Sequence, residues 1–167
     1  MRWIVWIVAA LVIVVLVVAA VGAMLPKQHS VSRTVRLALP PDALYTLLID
    51  VSQYRSWRPD VKGLERLPDR DGKPAWVEDV SGMKIPLHFE RMERPSLLVA
   101  RIDGDLAFGG TWTYRITPAA GGGSDLTITE DGEVYNVVFR FMARFVFGYY
   151  ATMDGFINHL QARAAAR

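Results

Sequence analysis

From Trp3 to Leu25 the chain carries no charge, and Val, Ile, Leu and Ala dominate the run WIVWIVAALVIVVLVVAAVGAML. At 1.5 Å per helical residue the run spans roughly 34 Å, enough to cross the ~30 Å hydrocarbon core of a bilayer. Trp3 and Trp6 fall where an aromatic belt lies at one interface. Secretory signal cores run about 7–15 apolar residues, so the length predicts an uncleaved single-pass anchor, although Val21-Gly22-Ala23 is a passable cleavage site. Basic residues after the run slightly outnumber those before it, but a very short leading tail usually stays inside. The soluble part is therefore expected on the non-cytoplasmic side of the membrane.

Pro26 stops the apolar helix, and residues 26–30 read as a polar linker. From Val31 the period changes to two: Val31, Val35, Leu37 and Leu39 alternate with Ser32, Thr34 and Arg36, which predicts a half-buried strand. Pro40-Pro41-Asp42 breaks it, and Pro41 suits the first turn of a short helix carrying Ala43, Leu44, Leu47 and Leu48. A second short helical turn covers residues 51–54. Strands are then expected over residues 61–67, 75–80, 84–93, 97–102, 110–117 and 125–134, separated by turn pairs such as Asp71-Gly72, Ser81-Gly82 and Asp103-Gly104. From Val138 the period becomes helical. Phe139, Met142, Val146, Tyr149, Tyr150, Met153, Ile157 and Leu160 share a stripe, with Phe145 and Phe156 at its edge, predicting one long amphipathic helix to about Arg163. Arg140 and Arg144 fall on its polar side, and Phe141 and Phe147 lie off the stripe, left for the bilayer, a partner or a loop. The sum is an α+β chain: an anchor over residues 1–25, a linker over 26–30 and one globular domain over 31–167.

Composition narrows the chemistry. Nineteen Lys and Arg face seventeen Asp and Glu, a net charge of +2, without the clustered basic face that nucleic-acid binding requires. Cysteine is absent, which excludes disulfides, thiolate metal sites and a cysteine nucleophile. His29, His88 and His159 are isolated in sequence and match no metal-ligand spacing, and no cofactor motif is present. His88 lies opposite Ile85, Leu87 and Phe89 and is expected to be exposed. Gly121-Gly122-Gly123 lacks the following Lys-Ser/Thr of a phosphate loop and reads as a hairpin. Lys27, Arg33 and Arg36 stand just past the span, where they serve as flanking charge or meet anionic headgroups.

The segments SVSRTVRLALPPDALYTLLIDVSQYRSWRPDV and MDGFINHLQARA, with the pattern Asp50…Tyr54…Trp57…Pro59 after the first helix, resemble the START-like (SRPBCC) superfamily, most of all its polyketide cyclase/dehydrase and lipid-transport group. The resemblance covers roughly residues 31–165. It implies a helix-grip fold: a curved antiparallel sheet around a long C-terminal helix, with two short helices after the first strand and an apolar cavity inside. It also implies a hydrophobic small molecule or lipid as ligand, which a membrane tether would present at high local concentration. One cavity wall would then come from Phe139, Met142, Phe145, Tyr149 and Met153, the opposite one from Trp76, Phe89, Trp112 and Tyr114. The helix at residues 43–48 and the loop carrying Trp57 would guard an entrance. For every one of these large side chains plain core packing is the competing outcome. Two other functions stay open. A cyclase or dehydrase would need an acid–base group in the cavity, for which Glu78, Glu90 and Glu130 are the candidates, against the ordinary fate of outward, solvated strand positions. A non-catalytic subunit would fill its interior with side chains and contact a protein partner.

Overall fold

The computed structural model describes residues 2–166. Helix α1 (Arg2–Met24) is followed by strand β1 (Gln28–Leu37), helix α2 (Pro41–Ile49), a 3-10 turn (Val51–Gln53) and helix α3 (Tyr54–Trp57). Six strands come next: β2 (Val61–Arg70), β3 (Lys73–Val80), β4 (Met83–Glu93), β5 (Leu97–Ile102), β6 (Phe108–Pro118) and β7 (Ser124–Val134). Helix α4 (Val137–Met142), a π turn (Ala143–Phe147) and helix α5 (Ala151–Ala165) complete the chain. The strands form one antiparallel sheet in the order β1-β7-β6-β5-β4-β3-β2. Only β1 leaves its sequence neighbour, crossing to pair with β7 and carrying α2 and α3 beneath the sheet. α1 is long and apolar enough to cross a membrane, a property it shares with signal sequences.

Period-two patterning accounts for the sheet's two faces. In β7, Ser124, Leu126 and Ile128 are buried, while Asp125, Thr127 and Thr129 point outward against Arg36, Thr34 and Ser32 of β1. Those outward pairs are bonded: Thr34 to Thr127 at 2.8 Å, Ser32 to Thr129 at 3.1 Å and Arg36 to Asp125 at 3.1 Å. Such cross-strand pairs set register as well as adding stability. On the other face Leu44, Leu47 and Leu48 of α2 and Met153, Phe156, Ile157 and Leu160 of α5 form the core with Leu98, Ile116, Leu126 and Ile128.

Three expectations change. β1 begins at Gln28, so Gln28–Ser30 lie in the sheet, opposite Glu133, Gly132 and Asp131. Residues expected to link therefore pair. The long C-terminal helix is broken: the backbone passes through a π turn, and Gly148 takes φ +75°, a conformation that side-chain-bearing residues rarely adopt. α4 has its own start, where the Asn136 side chain accepts hydrogen bonds from the Val138 and Phe139 amides at 2.9 and 3.1 Å. Third, Arg140 is buried. Its guanidinium donates to the carbonyls of Gly22 (3.2 Å) and Leu25 (3.0 Å) at the end of α1, and to that of Tyr135 (3.2 Å). The last carbonyls of a helix lack intrahelical partners and carry negative dipole charge, so a cation there is doubly favoured. Gly22 makes the approach possible, because a Cβ at that position would stand 2.0 Å from the Val137 carbonyl oxygen. α4 is thereby joined to the last turns of α1.

Candidate functional site

A cavity of about 480 Å³ lies between the concave face of the sheet and the residues from α4 to α5. Alternation along each strand aims its lining residues inward: Trp76, Glu78 and Val80 from β3, Ile85, Leu87 and Phe89 from β4, Ala100 and Ile102 from β5, Trp112 and Tyr114 from β6, Glu130 from β7. Phe139, Ala143, Phe147, Tyr149 and Phe156 close the opposite side. Phe156 is central to this aromatic set, with ring centroids 5.6 Å from Trp57, 5.7 Å from Trp112 and 5.8 Å from Tyr114. Met83, Phe139 and Phe147 are exposed as well as lining, so they mark the mouth.

At the closed side sits a buried ionic cluster. The Arg58 guanidinium lies 2.9 Å from Glu78 and donates to Asp60 at 2.8 Å. The other Glu78 oxygen accepts from the Trp76 indole N–H at 2.9 Å. Burial works against the Arg58 charge, but Glu78 and Asp60 outweigh it and hold its pKa above the ordinary value. Burial would raise the Asp60 carboxyl, yet the hydrogen bond and charge of Arg58 bring it below the usual range. Tyr54 and Tyr114 line the same region, and burial pushes both phenols upward, Tyr54 well above its usual value. The Tyr54 hydroxyl donates to the Leu48 carbonyl at 2.6 Å, joining the site to α2.

These two tyrosines make the fold sensitive to alkali. Unfolded tyrosines ionise near pH 10, so the stability tied to their neutral forms is complete below that pH. It falls as pH rises from about 10 toward the folded values. Denaturation midpoints measured across that window are expected to drop steeply, and Tyr114→Phe to drop less; equal curves for the two proteins would contradict the assignment.

A second polar group stands nearer α5. His29 Nε2 is 3.3 Å from Glu130 Oε1, and its ring stacks on Tyr149 with centroids 4.1 Å apart. Glu130 Oε2 is buried without a hydrogen-bond partner among the described residues.

The structure brings together six of the expected lining residues: Trp76, Phe89, Trp112, Tyr114, Phe139 and Tyr149. Three others are elsewhere. Met153 is fully buried in the core, Met142 is half-buried outside the lining, and Phe145 is exposed with its ring 5.0 Å from Phe141. The break at Gly148 rotates the stripe's two halves out of a common face. Trp57 guards no mouth; it is buried against Tyr54 and Phe156. Glu90 points to solvent and pairs with Arg101 at 2.9 Å, at an irregularity in β4 that interrupts the register between Phe89 and Arg91. His88 is on the outer face as expected, but it is buried beside Asp103 (2.7 Å) and Arg70. Arg33 and Arg36 are engaged by Asp154 and Asp125. Among the described residues no group of three or more acidic or histidine side chains is placed to hold a metal ion. Sequence reasoning gave no site role to Arg58, Asp60 or Tyr54, although Tyr54 stood in the pattern that carries the family resemblance.

This architecture, a sheet curved around a C-terminal helix over an apolar cavity, is START-like. A START superfamily protein from Mycobacterium smegmatis matches with a TM-score of 0.64 at 20% identity, covering 83% of this chain and 98% of that one. The aromatase/cyclase Zhui from a Streptomyces species matches with a TM-score of 0.67 at 18% identity, covering 84% and 95%. Norcoclaurine synthase from Thalictrum flavum matches with a TM-score of 0.65 at 10% identity, covering 84% and 88%. Identities this low speak for fold alone. Residues 28–165 match the polyketide cyclase/dehydrase and lipid transport family, and the chain belongs to that family. No curated protein matches the sequence.

Proposed function

We propose that the protein is a membrane-anchored binder of a hydrophobic small molecule or lipid. The observation that carries this reading is the cavity itself: about 480 Å³, walled mainly by aromatic and aliphatic side chains, with Arg58–Glu78 and His29–Glu130 among its few polar groups. Pockets of small-molecule sites have this size and composition, with a few placed polar groups fixing orientation. An interior packed solid, as a purely structural subunit would have, is not what the lining residues form. The family and the aromatase/cyclase and START folds support an apolar ligand. The length and composition of α1 support an anchor beside it. Native mass spectrometry of the full chain, released from detergent, is expected to show a bound species or uptake of added fatty acid, quinone or aromatic polyketide. Ligand-free protein that takes up none of the three would defeat the proposal.

One observation favours catalysis as a second reading. His29 and Glu130 both line the cavity and stand 3.3 Å apart, a carboxylate–imidazole pair able to pass a proton once the buried, unpartnered Glu130 Oε2 turns toward a ligand. Glu78 is less suited, because both of its oxygens already accept from donors. Under this reading Glu130→Gln slows conversion of a bound polyketide by about 10²–10⁴ while its binding is retained, since a general acid–base group typically contributes that much in rate. Unchanged turnover in the variant would remove the pair from any catalytic role.

A further inference from the structure

Outside α1, the large apolar side chains exposed among the described residues gather at one end of the sheet, at Met83, Tyr135, Val138, Phe139, Phe145, Val146 and Phe147, with Tyr150 set apart over Arg33 midway along β1. Antiparallel connectivity explains the grouping. The β3–β4 turn, the β5–β6 loop, the end of β7 and the start of β1 share this end, and α1 and α4 leave from it. The stretch from Val137 to Phe147 concentrates the effect, with Phe145, Val146 and Phe147 at 58%, 57% and 61% exposure. A water-facing surface seldom presents so dense a group, and such a patch marks a contact site. Between Val137 and Met153 there are two arginines and no acidic residue.

We propose that residues 137–147 are an interfacial foot, buried in the bilayer leaflet that α1 reaches at its C-terminal end, and that they hold the cavity mouth against the lipid. The occupant of the exposed face is a lipid surface, and continuity with the apolar span argues for it. α4 is joined to α1 at Gly22 and Leu25 through Val137 and Arg140. Whatever depth the last turns of α1 take, α4 shares it. The span of roughly 34 Å exceeds the ~30 Å core by little, so its last turn lies close to the boundary between headgroups and acyl chains. An interfacial helix settles at this depth, its apolar side chains sunk about 5–10 Å and its cations turned to the headgroups. Arg144, exposed on the π turn, is the cation in that position. Because Phe139 and Phe147 belong both to the foot and to the cavity mouth, an apolar ligand would pass between leaflet and cavity without crossing water. The proposal rests on reading α1 as an anchor and on the cavity as a ligand site.

The native chain has no cysteine, so single labels are unambiguous. Full-length Val146→Cys, Val15→Cys and Thr117→Cys, each carrying an NBD fluorophore, would be reconstituted in phosphatidylcholine/phosphatidylglycerol vesicles containing nitroxide lipids. Val146 is exposed and outside the cavity lining, so its probe reports the surface and not the interior. The Val146 label is expected to lose most of its emission to nitroxides near the headgroups and the Val15 label to nitroxides deep in the chains, with the Thr117 label unaffected. Quenching at Val15 but not at Val146 overturns the foot and leaves the anchor standing. Absence of quenching at both positions overturns the anchor and the foot together. A Val146 label shielded from water yet untouched by lipid nitroxides also overturns the foot, in favour of a protein interface.

Discussion

Replacing Arg58 with methionine is expected to destabilise the folded domain by about 3–5 kcal/mol, the usual consequence of removing one partner from a buried ion pair. The substitution leaves Glu78, a buried carboxylate, with only the Trp76 indole as donor. Its desolvation is then no longer offset by a charge 2.9 Å away. Asp60, about one-third exposed, can recover water and adds less to the loss. Denaturant titration of the full chain in detergent, followed by the near-ultraviolet signal of the surrounding aromatics, measures the change. The double variant Arg58→Met/Glu78→Leu is expected to recover most of it, because apolar replacement of both partners of a buried pair is often close to neutral. A single-variant loss under about 1 kcal/mol would place the pair in an environment as wet as the surface, where ion pairs contribute little.

Under the proposed binding function, filling the cavity should exclude the ligand. Ala100 stands on β5 between Phe89 and Trp112, buried and facing the void. Ala100→Phe puts a ring into that space. The expected result is at least about a tenfold loss of affinity for any apolar ligand, or about 1.4 kcal/mol, since at 25 cal/mol per Å² roughly 56 Å² of lost ligand burial suffices. Stability should change by less than the 1–3 kcal/mol typical of overpacking a filled core, because the ring enters empty space. Ligand binding by titration fluorescence and denaturation on the same samples separate the two quantities. Unchanged affinity would move the ligand site away from the β4–β5–β6 wall.

The parts of the fold legible in sequence are those governed by nearest neighbours along the chain. Period-two alternation at Trp76/Glu78, Ile85/Leu87/Phe89 and Trp112/Tyr114 gave each strand its inward face, and those residues do meet across one cavity. The helical stripe after Val138 was legible too, but its continuity was not. Gly148 carries no side chain to mark a periodic position, and the π turn before it shifts the register by a fraction of a turn. Tyr149 stayed at the cavity while Met142 and Phe145 left it. Glu78 and Glu90 looked alike as strand carboxylates. Arg58, twenty residues from Glu78 in sequence, decides that one is a buried partner, while an irregularity in β4 leaves the other in solvent.

What the sequence determined by itself was the apolar helix from Trp3 to Leu25, the alternating faces of the strands, the absence of cysteine chemistry and the family outline, all properties of composition and local period. The tertiary structure alone decided how these parts meet. Long-range pairing brought Arg58 to Glu78 and His29 to Glu130, and it carried Arg140 to the end of α1, 115 residues away. Buried charges and unpaired helix carbonyls must find partners wherever the fold supplies them. A one-dimensional pattern shows that such groups exist, and only the folded chain shows which of them are neighbours.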